Sequence, residues 1–476
     1  MILRAPKRIW MWAGVGTALI VAVVIWRESR SLGGEPPPWA EPLVERDLDA
    51  IMPDTLRVLV LRDPLSWEER PQAITGLEFE LLERFARVVK VPLLAIPVEH
   101  PDSMLMELQR GRGDVIAAQC TDRKDQREWF AFTSGYTEVR PVLARLRMEL
   151  PATKQASVKA EDRPDAVATS LWSPFIGADY HLNGPPHIAP AASNATPDDM
   201  LMGIVLGTLS ATVLTDAGAA HEAECFPIVE FVPLKGNERE LSFMLRRNAP
   251  QLLQRFNTWL ADEHEKEARA KLIDSYTGRV VQPGPLKARR GIPVYGDSIS
   301  PYDAFFRQHA KGLGWDWELL CVMAWKESRF DSTVTSHSGA EGIMQLMPRT
   351  SAKLGLDSSM AMDDNIRVAA RYLSRLDTLW MRAVTDREQR LRFVLASYNA
   401  GPGHVIDAQR LAQHLGLDPK KWEGNVERAI LLLAKPRYYM RPELKNGFCK
   451  GNQVFYYVRD VVTLYHKLRA RRVPDR

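Results

Sequence analysis

The feature that most restricts the fold is a nearly uninterrupted apolar stretch, residues 319–328, that ends in an acid. Seven apolar or small residues, Leu-Leu-Cys-Val-Met-Ala-Trp, precede Lys326, Glu327 and Ser328. Such a stretch predicts a helix that is buried on nearly all sides, with Glu327 at its carboxyl end. Burial and the negative end of the helix dipole both disfavour a charged carboxyl group, so we expect the pKa of Glu327 to be raised. A carboxyl that keeps its proton near neutral pH is suited to general acid catalysis. The alternative is a Glu at a frayed helix end whose side chain reaches water.

Further motifs follow Glu327-Ser328 in a fixed order. They are Gly-Ile-Met-Gln-Leu-Met-Pro at 342–348, Ala-Ser-Tyr-Asn-Ala-Gly at 396–401 and Tyr457-Val458. With these motifs, residues from about 295 to 465 resemble the catalytic domain of the soluble lytic transglycosylase family, which has a lysozyme-like fold. The Ile-Ser-Pro-Tyr-Asp and Gly-Trp-Asp-Trp segments at 299–303 and 314–317 resemble the membrane-bound lytic transglycosylase F branch.

The resemblance implies cleavage of the β-1,4 bond between N-acetylmuramic acid and N-acetylglucosamine in peptidoglycan. Glu327 would protonate the glycosidic oxygen and then act as the base that takes a proton from the C6 hydroxyl of the same sugar. That hydroxyl closes a 1,6-anhydro ring without water, and the substrate's acetamido group would replace a second enzyme carboxylate. A receptor that only binds glycan and a muramidase that uses water are the alternatives.

The same resemblance implies that six residues bind the substrate: Ser328, Met344, Gln345, Tyr398, Asn399 and Tyr457. Ser328 would orient the acid or the acetamido group, or else bond the preceding helical turn. Met344 and Gln345 would line the sugar subsites, with core packing as the alternative, above all for Met344. Tyr398 and Asn399 would hold the acid and bind acetyl groups.

The last family motif is the least regular part of the match. The hydroxyl of Tyr457 would approach the catalytic carboxyl, and the neighbouring Tyr456 leaves the register open. The chain departs from the family at 453–454, where Gln-Val replaces the usual Glu-Thr, and at Lys450, where Arg is common. The missing Glu would affect substrate positioning but leaves the acid itself in place.

The preceding part of the chain, 54–277, alternates strand and helix patterns. Strands are predicted at 56–61, 91–96 and 114–117, and helices at 77–88 and 104–109, which indicates a parallel α/β sheet. Leu-Gln-Arg-Gly at 108–111 and Phe-Thr-Ser-Gly-Tyr at 132–136 resemble the periplasmic solute-binding family that recognises amino acids. That resemblance implies a small amino-acid or peptide ligand. Arg127 would clamp its carboxylate, with Arg123 as a competitor and a solvated Arg as the alternative. Further strands are expected within 204–215 and 226–232, and an irregular crossover at 151–197.

Residues 1–30 predict a secretion signal or a signal anchor. Arg4, Lys7 and Arg8 precede an uncharged run at 9–26, which is just long enough to cross a bilayer. A Pro-rich stalk at 31–53 follows, and a linker at 278–297 precedes the domain at 298–476. In that last domain helices are expected at 302–311, 317–328, 348–354, 364–378, 386–398, 404–415, 425–433 and 454–469.

The predicted fold class is therefore multidomain: a two-lobed α/β solute-binding-like domain followed by a mainly α lysozyme-like domain. The 476 residues and 45% hydrophobic content support more than one core. The net charge of +4 is small for this length, and the sequence shows no cluster of basic residues that would form a basic face, so we expect no nucleic-acid partner. The dispersed His residues predict no metal site, and we expect no cofactor. The four cysteines leave three complete pairings open. We expect the protein to lie in the periplasm of a bacterial cell envelope, associated with a membrane.

Overall fold

The computed structural model describes residues 37–147, 166–176, 187–190, 195–277, 292, 294, 298–355 and 361–472. The expected signal or anchor, most of the expected crossover and all but two residues of the expected linker lie outside these ranges. Within them, no helix combines the length and apolar character needed to span a bilayer.

The residues before the linker form two lobes, each built on a five-stranded sheet. Their strands are β1 (Leu56–Val60), β2 (Glu68–Arg70), β3 (Ala73–Thr75), β4 (Leu93–Pro97), β5 (Val115–Ala117), β6 (Phe130–Phe132), β7 (Thr137–Val139), β8 (Pro141–Leu146), β9 (Ala166–Thr169), β10 (His187–Pro190), β11 (Ala211–Thr215), β12 (Val229–Pro233), β13 (Arg239–Leu241) and β14 (Met244–Arg246). Their helices are α1 (Leu48–Ile51), α2 (Leu77–Val89), α3 (Met104–Gln109), α4 (Pro197–Leu206), α5 (Asp216–Ala223), α6 (Pro250–Ala261) and α7 (Glu263–Tyr276), with a 3-10 turn at Pro101–Ser103.

The first lobe has the strand order β4-β1-β5-β14-β6. The three strands predicted from the sequence, β1, β4 and β5, pair in parallel, which confirms that expectation. The strand β14 arrives from far along the chain and pairs antiparallel with both β5 and β6. The chain thus leaves the first lobe for the second and returns to complete the first sheet.

The second lobe has the order β10-β9-β11-β8-β12, with β8 antiparallel to both of its neighbours. The expected strand within 226–232 is present as β12. The one expected within 204–215 was wrong over its first part, which belongs to α4. Thr196 and Asp199 form a capping box at the start of α4, and Gly207 ends it in the left-handed conformation.

The residues after the linker form a helical domain around one central helix. Its helices are α8 (Asp303–Lys311), α9 (Trp317–Ser328), α10 (Pro348–Lys353), α11 (Met362–Trp380), α12 (Arg387–Ala400), α13 (Pro402–His414), α14 (Glu427–Leu432), α15 (Pro436–Tyr439) and α16 (Gly451–Arg472), with a π turn at Trp422–Val426. The apolar helix begins and ends where the sequence predicted, as α9. Its residues 319–324 are at most 3% exposed, so it is buried all round as expected.

The second lobe and the helical domain share one apolar core. Ile204, Phe226 and Phe231 of the lobe belong to the same buried cluster as α9 and its neighbours. Arg428 donates a hydrogen bond to the Leu206 carbonyl at 2.6 Å, and Asn452 donates one to the Glu224 carbonyl at 3.1 Å. The core of the first lobe lies in other clusters. The helical domain is therefore packed mainly on the second lobe.

The structure also describes part of the expected stalk and all four cysteines. The described part of the expected stalk, 37–53, packs on the first lobe: the Leu43 amide donates to the Gln109 carbonyl at 2.8 Å, and Arg46 pairs with Asp114 at 3.1 Å. All four cysteines are free thiols, and Cys321 is a buried core residue of α9.

Candidate active site

Glu327 lies in the last turn of α9, where the chain turns sharply. Arg329 and Phe330 both have positive φ, 59° and 66°, and the Arg329 amide caps the helix by donating to the Trp325 carbonyl. Successive left-handed residues other than Gly are uncommon and cost energy, so the surrounding structure must hold them in place. This turn ends the helix directly after Glu327 and Ser328 and leads into the loop that carries the second motif.

The loop of the second motif is held in place by Asn365, a buried residue of α11. The Asn365 side-chain oxygen accepts from the Met344 amide at 2.9 Å, and its amide group donates to the Glu341 carbonyl at 3.3 Å. Gly342 has φ +78°, and a β carbon there would lie 2.5 Å from Asn365. Glycine is therefore required for both its conformation and the close approach of Asn365.

Two tyrosines bring the third and last motifs to Glu327. The Tyr398 hydroxyl donates to the Met344 carbonyl at 2.7 Å, and Tyr372 packs against the Tyr398 ring with centroids 5.7 Å apart. The buried Tyr457 hydroxyl lies close enough to the Glu327 carboxyl to lower its pKa, although it makes no hydrogen bond of ordinary geometry with any described residue. The structure thus places Tyr457, and not Tyr456, at the acid.

Burial raises the pKa of Glu327 from 4.5 to about 7, as the sequence predicted. The hydroxyl of Tyr457 and the ammonium of Lys326 both oppose that rise, because they stabilise the charged form. Lys326 is itself paired with Asp460 of α16. The carboxyl therefore exchanges its proton near neutral pH, so it can act first as an acid and then as a base.

Of the other predicted site residues, some hold the loop of the second motif in place and one is exposed to solvent. The Ser328 hydroxyl lies 3.2 Å from the Ala324 carbonyl and 2.8 Å from that of Ile343, so it joins the helix end to the loop. Met344 is fully buried, which agrees with its alternative as a core residue. The Gln345 side-chain amide donates to the carbonyls of Val334 and Gly342, and Asn399 is exposed beside Tyr398.

The sequence analysis missed three residues that shape this site: Asn365, Tyr372 and Asp460. Asn365 and Tyr372 lie on the predicted helix 364–378, but no motif marks them. A buried polar side chain such as Asn365 must find hydrogen-bond partners. The one indication in the sequence was that Asn365 lies next to the apolar residues predicted to form the buried face of this helix. Asp460 follows Tyr457 by three residues, so helical spacing puts both on one face of α16.

In the first lobe, Arg127 lies at the surface. Its side chain is 59% exposed and makes two hydrogen bonds of 2.6 Å to the Asp122 carboxylate. A small cavity between the lobes measures about 20 Å³. A larger cavity of about 410 Å³ lies where the first lobe, the second lobe and the helical domain meet.

Comparisons with known proteins agree with the two-part organisation. The family described as Bacterial extracellular solute-binding proteins, family 3, matches residues 56–279, and the Transglycosylase SLT domain family matches residues 304–419. The Membrane-bound lytic murein transglycosylase F of Aeromonas hydrophila is 25% identical over 87% of this chain and 82% of its own length. The protein of the same name from Alcanivorax borkumensis is 26% identical over 87% of each chain.

Two solved structures also resemble part of this chain. The ancestral amino acid-binding protein AncCDT-1 is 22% identical, with a TM-score of 0.38 over 48% of this chain and 99% of its own. An ancestral arginine-binding protein is 19% identical, with a TM-score of 0.38 over 48% of this chain and 100% of its own. The family matches give a solute-binding domain of family 3 followed by a transglycosylase SLT domain, and over most of its length the chain resembles the proteins named membrane-bound lytic murein transglycosylase F.

Proposed function

We propose that the protein is a peptidoglycan lytic transglycosylase. It cleaves the β-1,4 bond between N-acetylmuramic acid and N-acetylglucosamine and leaves a 1,6-anhydromuramic acid end. The SLT domain match and the names of the relatives support this activity. The observation that carries it is a carboxyl group at Glu327 whose pKa burial raises to about 7, near the Tyr457 hydroxyl and at the helix end that Ser328 joins to the loop of the second motif.

Glu327 acts in both halves of the reaction. Its protonated carboxyl gives a proton to the glycosidic oxygen as the bond to the anomeric carbon breaks. The resulting carboxylate then accepts the proton of the C6 hydroxyl, whose oxygen attacks the anomeric carbon and closes the anhydro ring. The attack is intramolecular, so it competes well with water. Each turnover returns Glu327 to its protonated form.

A single carboxyl suffices in this scheme. The groups that oppose the raised pKa of Glu327 are Tyr457 and Lys326, and no second carboxylate from the described ranges acts on it. The substrate's own acetamido group therefore stabilises the positive anomeric carbon, an accepted exception to the two-carboxylate rule. Tyr457 stabilises the carboxylate after proton transfer, because its hydroxyl can donate to the charged oxygen.

Asn399, Gln345 and Tyr398 are proposed to contact the sugars. Asn399 is exposed and offers both a donor and an acceptor to acetamido groups. The Gln345 amide hydrogens are engaged within the loop, so the side chain offers its oxygen to the substrate. Ser328 and Met344 act through the loop that they hold in place.

Digestion of purified peptidoglycan by the full chain tests the proposal. Mass spectrometry is expected to find muropeptides lighter by one water than hydrolysis products, and Glu327→Gln is expected to lose them while still binding glycan. Glu388→Gln, a change at an exposed position of α12, serves as the matched control and keeps activity. Products with free reducing ends would instead indicate a muramidase, and no product from the unmodified chain would indicate a receptor.

We also propose that the first domain binds a small amino-acid or peptide ligand and thereby modulates turnover. Arg127 is the proposed carboxylate clamp, and a ligand carboxylate would take the place of Asp122 on its guanidinium. Amino acids and cell-wall peptides added to the digestion should change its rate. If none of them does, modulation is refuted.

The proposed location is the periplasm of a bacterial cell envelope, with membrane attachment through residues 1–30. Retention of that segment would anchor the protein in the inner membrane, whereas its cleavage would leave a peripheral association with the outer membrane. Intact-mass measurement on the exported protein distinguishes these two states.

A further inference from the structure

A lysine of the helical domain is buried among carboxylates of both lobes of the solute-binding domain. Lys435 precedes α15, and its side chain is 4% exposed. Its ammonium lies 2.5 Å from Glu222 and 3.2 Å from Asp198, both in the second lobe, and 4.0 Å from Glu68 in the first. One ammonium group therefore connects three parts of the molecule.

The acids around Lys435 outnumber its charge. Asp198 is also paired with Arg437 at 3.0 Å and Glu68 with Arg70 at 2.7 Å, but Glu222 keeps one buried oxygen, Oε2, without a hydrogen-bond partner among the described residues. Glu222 is 4% exposed and, with Asp63, lines the small cavity between the lobes. Burial raises the pKa of Asp63 to about 7; the neighbouring Asp198 and Glu222 also raise it, whereas Lys435 lowers it. Burying unpaired carboxylate oxygen is costly, so the site favours a cation.

The site is reachable from solvent without separating the domains. Lys435 lies on the wall of the cavity of about 410 Å³, together with Arg62, Trp67 and Glu99. A lysine side chain has four rotatable bonds, so it can swing from the carboxylates into this cavity while α15 stays packed. The second lobe and the helical domain can then remain joined through their shared apolar core.

We propose that Glu222, Asp198 and Glu68 form a binding site for a primary alkylammonium group, which Lys435 occupies as a tethered ligand. A free solute that carries such a group competes with Lys435 for this site. The inference deepens the proposed solute recognition, because it assigns an ammonium-bearing ligand and makes the helical domain part of the binding site. Occupation by a solute removes the ion pairs that link Lys435 to both lobes.

The test uses n-propylammonium, which replaces the side-chain atoms that Lys435→Ala removes. Calorimetry on the full chain should show that Lys435→Ala binds this cation at least about tenfold more tightly than the unchanged chain, because the tethered competitor is gone. Adding Glu222→Gln to Lys435→Ala should weaken binding about tenfold. Neutral n-propanol should bind neither protein, and Lys420→Ala at an exposed lysine of the same domain should leave the affinity unchanged.

Equal affinities for the unchanged chain and Lys435→Ala, or binding that survives Glu222→Gln, would overturn the proposal. If Lys435→Ala does not fold in buffer, its refolding is measured with n-propylammonium and with n-propanol. Recovery with the cation alone supports the site, and no recovery with the cation refutes it. Peptidoglycan digestion by the same proteins is scored separately, so loss of turnover is distinguished from loss of binding.

Discussion

The raised pKa of Glu327 predicts how activity depends on pH. With a pKa of about 7, about half of the carboxyl groups carry the catalytic proton at neutral pH. With the ordinary value of 4.5, only about 0.3% would do so. Between about pH 6 and pH 8 the protonated fraction falls about tenfold, so kcat/KM should fall by the same factor across neutrality.

The same shift predicts a pH-dependent effect of Glu327→Gln on stability. Between pH 4.5 and about 7, the folded protein keeps a proton that the unfolded chain releases. The free energy of unfolding therefore falls as pH rises through this window. A shift of this size corresponds to about 3 kcal/mol at most. Glutamine cannot ionise, so the variant should match the unchanged protein in acid and exceed its stability by up to about 3 kcal/mol above neutrality.

Urea denaturation of both proteins from about pH 5 to pH 8, alongside initial rates of peptidoglycan digestion, measures the two effects. Glu388→Gln, at an exposed position, provides the control for removing a carboxylate elsewhere in the domain. A stability difference that does not change with pH, or a rate that keeps rising through about pH 8, would refute the assignment of a neutral-range proton to Glu327.

Three further variants, two of them with a matched control, test the active site and the packing of the two domains. Tyr457→Phe removes a hydroxyl that lowers the pKa of Glu327, so the fall in kcat/KM should move to higher pH; an unchanged profile contradicts the contact. Arg246→Met breaks a fully buried ion pair with Asp114, 3.1 Å long, but leaves Arg46 paired with that carboxylate, so it should cost about 1–3 kcal/mol in urea denaturation. Lys266→Ala, which breaks an exposed pair with Glu263, should cost less than about 1 kcal/mol. Gly451→Ala places a β carbon 2.1 Å from the Ile430 carbonyl and should lower the melting temperature, whereas Gly312→Ala, whose nearest neighbour lies at 3.9 Å, should not.

Features encoded by neighbouring residues were predictable. The bounds of α9 follow from its unbroken apolar run, and the direction of the Glu327 pKa shift follows from burial of that run. The parallel strands β1, β4 and β5 were likewise readable from alternating strand and helix patterns. The capping residues Thr196 and Asp199 mark the start of α4, but its apolar residues are also typical of a buried strand, so the sequence pattern favoured a strand there.

Contacts between distant residues were decided only by the tertiary structure. Tyr457 reaches Glu327 from 130 positions away because α16 packs against α9, and Asn365 fixes the loop of the second motif through hydrogen bonds that no local pattern encodes. Lys435 meets Glu222 across 213 positions, at a junction that exists only once both lobes and the helical domain are packed. The sequence by itself determined the helix, the acid and the order of the domains, since these depend on short-range periodicity. The partners of the acid and the charge of the junction depend on how separate elements pack.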